Sequence, residues 1–272
     1  MAGIRFAIAG TLLWTWCRAR GVALPSAAQW GAAALTGIIL LAVSNGLFAW
    51  SEQYLPSGVG SLFFALSPLW MAVFAFAFER ERPSRVGAAG LALGLAGMVY
   101  LYSPSGGQHL PTWPLVVGLS TSVTWAFGSI LHRGFRSGDL VQASSMQMLA
   151  AGAVLLAAAV VTREPLSLAV FTPTALGALA YLIVFGSIVG FSAFLWLMNH
   201  VPTTLASTYS YVNPIVALSI GIGALDEPFS WRLALGAGII TAGVAVMMLA
   251  PPAKRPVGGC LPSRTATSSR LK

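Results

Sequence analysis

The chain has 272 residues, of which 57% are hydrophobic and only 8% charged, and its formal net charge is +8. A soluble domain is about a quarter charged, so this composition excludes a soluble globular enzyme, a disordered scaffold and a disulfide-rich secreted module. The mean hydropathy of +0.79 makes the bilayer the solvent.

A bilayer core about 30 Å thick takes about 20 apolar residues as a helix. Nine such stretches follow one another, at residues 4–16, 30–50, 57–78, 86–102, 112–131, 143–161, 173–198, 204–225 and 231–250. The fold class expected is therefore all-α, a polytopic membrane protein with nine visible transmembrane helices. Arg18 and Arg20 follow the first span, and Glu52, Gln53 and Pro56 follow the second without a cation. Arg80, Arg82 and Arg85 follow the third, and Arg133 and Arg136 the fifth. Assigning alternate loops to the cytoplasm places 12 of the 15 cations inside, leaving Arg5, Arg163 and Arg232 outside. The positive-inside rule then predicts a multi-pass protein of the inner (plasma) membrane, its C-terminal tail, 252–272, disordered and cytoplasmic. Residues 1–20 do not suit a signal peptide, because Arg18 and Arg20 stand where cleavage needs small residues.

The same rule accounts for the basic balance, so no nucleic-acid partner is expected. Cys17 and Cys260 form neither a CxxC pair nor a metal-ligand set, and no cofactor or metal is expected. There is no HExxH and no pair of acids within a span, which argues against an intramembrane protease. Without a P-loop, ATP-driven pumping would need another chain, and no His, Asp or Cys cluster points to an enzyme. All seven acids, and His109, His132 and His200, fall at span ends or in loops. A proton relay through mid-membrane carboxylates is thereby disfavoured.

An offset of 146 residues aligns the chain with itself. Phe48 meets Phe194, Trp50 meets Trp196, Pro56 meets Pro202, Pro68 meets Pro214, Glu81 meets Glu227 and Gly97 meets Gly243. Internal repeats of this kind are common in transporters. The charge count puts Glu81 and Glu227 on opposite sides, so the halves are inverted. The second half, residues 111–251, has five spans, and the first, residues 1–103, has four. The partner of the span at 112–131 would begin about 35 residues before Met1, so the expected architecture is inverted five-helix repeats with nine visible of an expected ten helices. Truncation, a misplaced start or real loss would each account for the difference.

The runs NGLFAWSEQYLPSGVGSLFFALSPLW, FERERPS and STYSYVNPIVALSIGIGALDEPFSWRLALGAGIITAG resemble the EamA-type drug/metabolite transporters. The resemblance implies a ten-helix fold with both termini cytoplasmic and a central substrate cavity. It departs from that pattern only at the first helix.

Polar groups inside spans are costly unless buried between helices, so they are site candidates. Ser67-Pro68 and Asn213-Pro214 are repeat equivalents, and a proline within a span frees a backbone carbonyl one turn earlier. Pro68 and Pro214 are read as hinges. Asn45, Ser67, Trp125, Ser207, Tyr209, Tyr211 and Asn213 are read as the substrate cavity, aromatic walls with a few hydrogen-bonding groups. Glu81 and Glu227 are read as structural loop residues, with Ser84 and Ser230 capping the spans that follow. Gly90 with Gly94, and Gly186 with Gly190, have the spacing of close helix packing. The function expected is an exporter of small metabolites, amino acids or drugs. Its partners are a small organic solute and the lipid bilayer, and a homodimer is admitted. The rivals are an integral-membrane enzyme acting on lipid and a non-transporting membrane partner.

Overall fold

Short polar residues at the ends of apolar runs decide where each helix begins. The computed structural model describes residues 1–54, 63–64, 66–79, 84–102, 112–134, 138–163, 172–210 and 231–249. Helix α1 is Ala2–Ala19, and Gly21 after it adopts a φ of 71° that a side chain would disfavour. The chain turns back there, and Ser26 opens α2, Ala27–Ser51, with a capping box. The Gln29 N–H donates to Ser26 Oγ at 3.3 Å and the Ser26 N–H to Gln29 Oε1 at 2.8 Å.

Helix α3 is Ser67–Phe74, continuing in wider π-helical turns over Ala75–Glu79. Helix α4 is Arg85–Tyr102, and Ser84 caps it by accepting the Gly87 N–H at 3.0 Å, as its spacing predicts. Helix α5 is Thr112–Gly134. Asp139 caps α6, Leu140–Val161, through the Gln142 N–H at 2.8 Å. Thr172 caps α7, Pro173–His200, with Pro173 in the first turn where its missing N–H costs nothing. Helix α8 is the single turn Thr203–Ala206, and α9 is Trp231–Met248. Two further π-helical stretches lie inside spans, Ile38–Val43 in α2 and Leu182–Phe191 in α7. Among the described residues there is no strand.

Helices α2, α5, α6 and α7 are each long and apolar enough to cross a membrane. The distribution of polarity fits that environment. Ser44, Ser67, Thr121, Ser122 and Ser144 are wholly buried, while Val161 is 81% and Phe185 57% exposed. In water this arrangement would desolvate hydroxyls and leave apolar surface wet. Against lipid tails, which are as apolar as leucine, it is the lower-energy one.

Helices α1 and α6 run antiparallel, with Gly3 against Leu156 and Gly10 against Leu149. Helices α4 and α9 do the same, with Gly90 against Met247 and Gly97 against Ile240. Both seams bring backbone onto backbone. A Cβ on Gly152 would stand 2.7 Å from the Ala7 nitrogen, and one on Gly243 2.6 Å from the Gly94 nitrogen. Only hydrogen fits at those points. Among the described residues, no second helix meets Gly186 or Gly190, expected to pack in the same way. Gly186 meets only Leu182 of its own helix, and Gly190 its own Phe185 carbonyl. Both lie in the π turns of α7, whose i→i+5 bonding breaks the i, i+4 row that such a motif needs. Between the seams Phe6, Leu40, Met71, Ala126, Met148 and Leu195 form one apolar core.

The seam sets an expected outcome for two alanines. Gly243→Ala forces backbone apart and should cost about 1–3 kcal/mol, read as a lower Tm in detergent. Gly177→Ala, where a Cβ meets nothing within 4 Å, should leave Tm unchanged or slightly raised.

Candidate functional site

An aromatic chain crosses the middle of the bundle. Phe48 on α2 meets Phe64 edge-on, with ring centroids 4.7 Å apart, and Phe64 meets Trp125 on α5 at 6.3 Å. Trp125 lies 5.2 Å from Phe194 on α7, and Phe194 lies edge-on to Tyr209 at 5.4 Å. Tyr209 is helical, just past the turn at 207–208 that follows α8, and its hydroxyl oxygen accepts the Trp125 indole N–H at 2.6 Å. Edge-on aromatic pairs contribute about 0.5–1.5 kcal/mol beyond the area they bury. The hydrogen bond adds a similar net amount, and a buried indole N–H without an acceptor would cost about 1–3 kcal/mol.

Hydroxyl groups border this wall. Ser44 Oγ donates to the Thr121 carbonyl at 3.1 Å and so ties α2 to α5. Ser67 Oγ and Thr121 Oγ1 are buried without a hydrogen-bond partner. Such groups are rare in native structures and are available to a solute or a water. Pro68 follows Ser67 in the first turn of α3, so it starts a helix here rather than kinking the interior of one.

The structure brings together Trp125 and Tyr209, and buries Ser67 and Ser207. Asn45 behaves differently: its Nδ2 donates to the Leu40 carbonyl of its own helix at 3.4 Å, beside the π turns that leave that carbonyl accessible. Tyr211, Asn213, Pro214, Glu81 and Glu227 lie outside the described residues. Sequence reasoning passed over Phe64, Phe48 and Phe194 as site residues. For the last two the signal existed, since they are identities at the 146-residue offset.

A second polar group was also missed. His132, placed by the sequence at a span end, is 1% exposed and enclosed by three helices. Gln147 Nε2 on α6 lies 2.8 Å from its Nδ1 and donates to Thr36 Oγ1 on α2 at 3.0 Å. Asn199 Nδ2 on α7 lies 3.2 Å from its Nε2 and donates to the Leu195 carbonyl at 2.8 Å. Next to it the Arg133 guanidinium bonds the Thr203 hydroxyl on α8. A cavity of about 20 Å³, room for one water, is bounded by Thr36, His132, Asp139, Gln142 and Gln147. This cluster belongs to the end of the bundle that carries Arg18, Arg20 and Arg133.

A helical bundle that turns apolar surface outward and gathers aromatic and hydroxyl groups inside defines the class of polytopic membrane proteins. The profile of the EamA-like transporter family matches residues 1–103 and 112–249, and the chain belongs to that family. The chain is 36% identical over 252 residues to the uncharacterized inner membrane transporter YedA of Escherichia coli (strain K12), a match that covers 92% of this chain and 81% of that protein. It is 24% identical over 248 residues to the uncharacterized transporter YvbV of Bacillus subtilis (strain 168), covering 90% of this chain and 81% of that one. A solved crystal structure that is 22% identical shares the fold, with a TM-score of 0.78 over 91% of this chain and 86% of that chain.

Tyr209→Phe keeps the ring contacts but removes the acceptor of the Trp125 indole. It should destabilise the protein by about 1–3 kcal/mol, seen as a lower Tm in detergent. Tyr181→Phe, at a residue 61% exposed, should leave Tm unchanged.

Proposed function

We propose that this chain exports small metabolites, amino acids or amphipathic drugs by alternating access, with the solute held at the aromatic wall formed by Trp125, Phe194 and Tyr209. One observation carries the reading. Ser67 Oγ and Thr121 Oγ1 are desolvated without a partner beside an apolar, aromatic surface. Aromatic surface with a few free hydroxyls suits a solute with one apolar face and one or two hydrogen-bonding groups. Tyr211 and Asn213 are proposed to complete it.

The two seams support an inverted repeat of residues 1–103 and 111–251. Helix α4 packs on α9, its equivalent at the 146-residue offset, and α1 packs on α6. Both pairs run antiparallel, as equivalents must if the halves are related by an axis in the membrane plane. In this reading one half rocks against the other about Pro68 and Pro214. Glu81 and Glu227 hold the loops at equivalent places. The cation count supports a cytoplasmic location for the Arg-rich end and the C-terminus.

The test is flux of radiolabelled amino acids and of fluorescent amphipathic dyes through proteoliposomes. At least one member of such a panel should move, and Trp125→Ala should lower its flux about tenfold or more, the effect of losing about 1.4 kcal/mol of binding. Pro214→Ala should reduce flux more than it reduces the amount of folded protein. A broad panel in which nothing moves removes the transport reading, and equal loss of flux and of protein removes the hinge.

A further inference from the structure

Helix α1 ends in a tightly built corner at the Arg-rich end. Its last carbonyls are taken by the chain that follows. The Val22 N–H donates to the Cys17 carbonyl at 3.1 Å, and the Gly21 N–H to the Arg18 carbonyl at 3.1 Å. This is the Schellman arrangement, which uses the positive φ of Gly21 and brings Val22 back toward Cys17. Both residues line one groove, together with Trp16 and Arg20 of α1 and with Asp139 and Val141 at the start of α6. Its volume is about 450 Å³, within the range of about 300–1,000 Å³ in which proteins hold small ligands.

Two opposite charges border this groove from different helices. The Arg20 guanidinium carbon lies 4.6 Å from the centre of the Trp16 ring. Asp139 uses one carboxylate oxygen, Oδ1, to accept the Gln142 N–H that opens α6. Among the described residues neither charge forms an ion pair. The other cations nearby are engaged elsewhere: Arg18 lies 5.8 Å from the Trp14 ring, and Arg133 bonds Thr203. The groove therefore offers one cation and one anion, set apart on an apolar wall.

Its surroundings place it where bilayer meets water. Trp14 on α1 packs on Trp30 of α2 at 5.4 Å, and Trp16, Arg18 and Arg20 stand beside them in the chain. Tryptophans and cations gathered at a span end mark the headgroup level. From there toward the membrane interior, Arg20, Trp16, Leu12 and Ile8 are all exposed, at a spacing of four along one row of α1. The row is apolar for two turns and then aromatic and cationic. That is the order of polarity along a phospholipid, acyl chain first and headgroup last.

We propose that this groove binds a phospholipid with an ethanolamine headgroup, its phosphate on Arg20, its ammonium on Asp139 and an acyl chain along Leu12 and Ile8. A guanidinium donates N–H bonds to phosphate oxygens, and a primary ammonium donates them to a carboxylate. Choline, its nitrogen fully methylated, has no N–H to give Asp139. A glycerol headgroup has no cation, and the net negative charge of its lipid is repelled by that carboxylate. Ethanolamine alone satisfies both ends of the groove.

The test is native mass spectrometry of the full chain in detergent, incubated with equal amounts of phosphatidylethanolamine, phosphatidylcholine and phosphatidylglycerol of identical acyl chains. The ethanolamine lipid should be retained about fivefold or more over each of the others. Asp139→Asn keeps an oxygen to cap α6 and removes the charge. It should bring the ethanolamine lipid level with the choline lipid and raise retention of the glycerol lipid. Arg20→Gln, at an exposed position, should lower retention of all three. Equal retention of the three lipids by the parent chain overturns the proposal, and so does a parent-like preference in either variant. An excess of glycerophosphoethanolamine, the same headgroup without acyl chains, should displace nothing. Displacement by it would make the groove a site for a soluble zwitterion and overturn the lipid assignment. No transported solute enters this readout, so this inference and the transport reading can fail separately.

Discussion

Lipid offers a polar side chain no partner, and every hydrogen-bonding group within the spans has to be satisfied by the protein or kept for something the protein binds. Most hydroxyls here turn back on their own helix. Thr36 donates to the Ala32 carbonyl at 2.9 Å, Ser51 to Phe48 at 2.8 Å and Ser129 to Trp125 at 2.7 Å. Those bonds satisfy the group and leave the helix face quiet. What remains is a small set of bonds that cross between helices, and they organise the bundle: Ser44 to Thr121, Trp125 to Tyr209, Gln147 to Thr36, Arg133 to Thr203, and His132 to both Gln147 and Asn199. The exceptions among the described residues are seven buried atoms: Arg5 Nε, Gln147 Oε1 and the hydroxyls of Ser67, Thr121, Ser144, Ser187 and Ser192.

The two kinds of contact divide the mechanical work. The seams of α1 with α6 and α4 with α9 are close backbone surfaces built on glycine, stiff against approach. The crossing hydrogen bonds are directional and can be exchanged one for another at modest cost. Motion between the halves is therefore expected to remake the crossing bonds and preserve the seams.

Much of this was legible in the sequence, for reasons that differ from place to place. Span boundaries were readable because Ser26, Ser84, Asp139 and Thr172 are short polar residues that satisfy exposed N–H groups at helix starts. Trp125 and Tyr209 were readable because aromatic and polar groups are conspicuous inside apolar runs. The π turns were not. The segment IILLAV at 38–43 has no proline, glycine or polar residue to mark a change of hydrogen-bonding register. His132 was misplaced for the opposite reason. A histidine one residue past the expected span 112–131 reads as solvated, and its burial depends on Asn199 and Gln147, 67 and 15 residues away in sequence. Gly186 and Gly190 have the spacing of close packing, and the described residues place no second helix against them.

The seam between α1 and α6 also determines where the chain tolerates changes in length. Gly3 and Gly10 face the partner because they are seven residues apart, two turns along one edge. A residue inserted between them would rotate everything beyond it by about 100° and turn one of the glycines away from the contact. Leucine or threonine side chains would then stand where only hydrogen fits. Within 182–191 of α7 the helix already carries widened turns and meets no close-packed glycine, and an added residue there can be absorbed as one more of them. Natural length variation among relatives should therefore gather in that stretch and avoid the seam, so the alignment gaps of the family carry a record of its contacts.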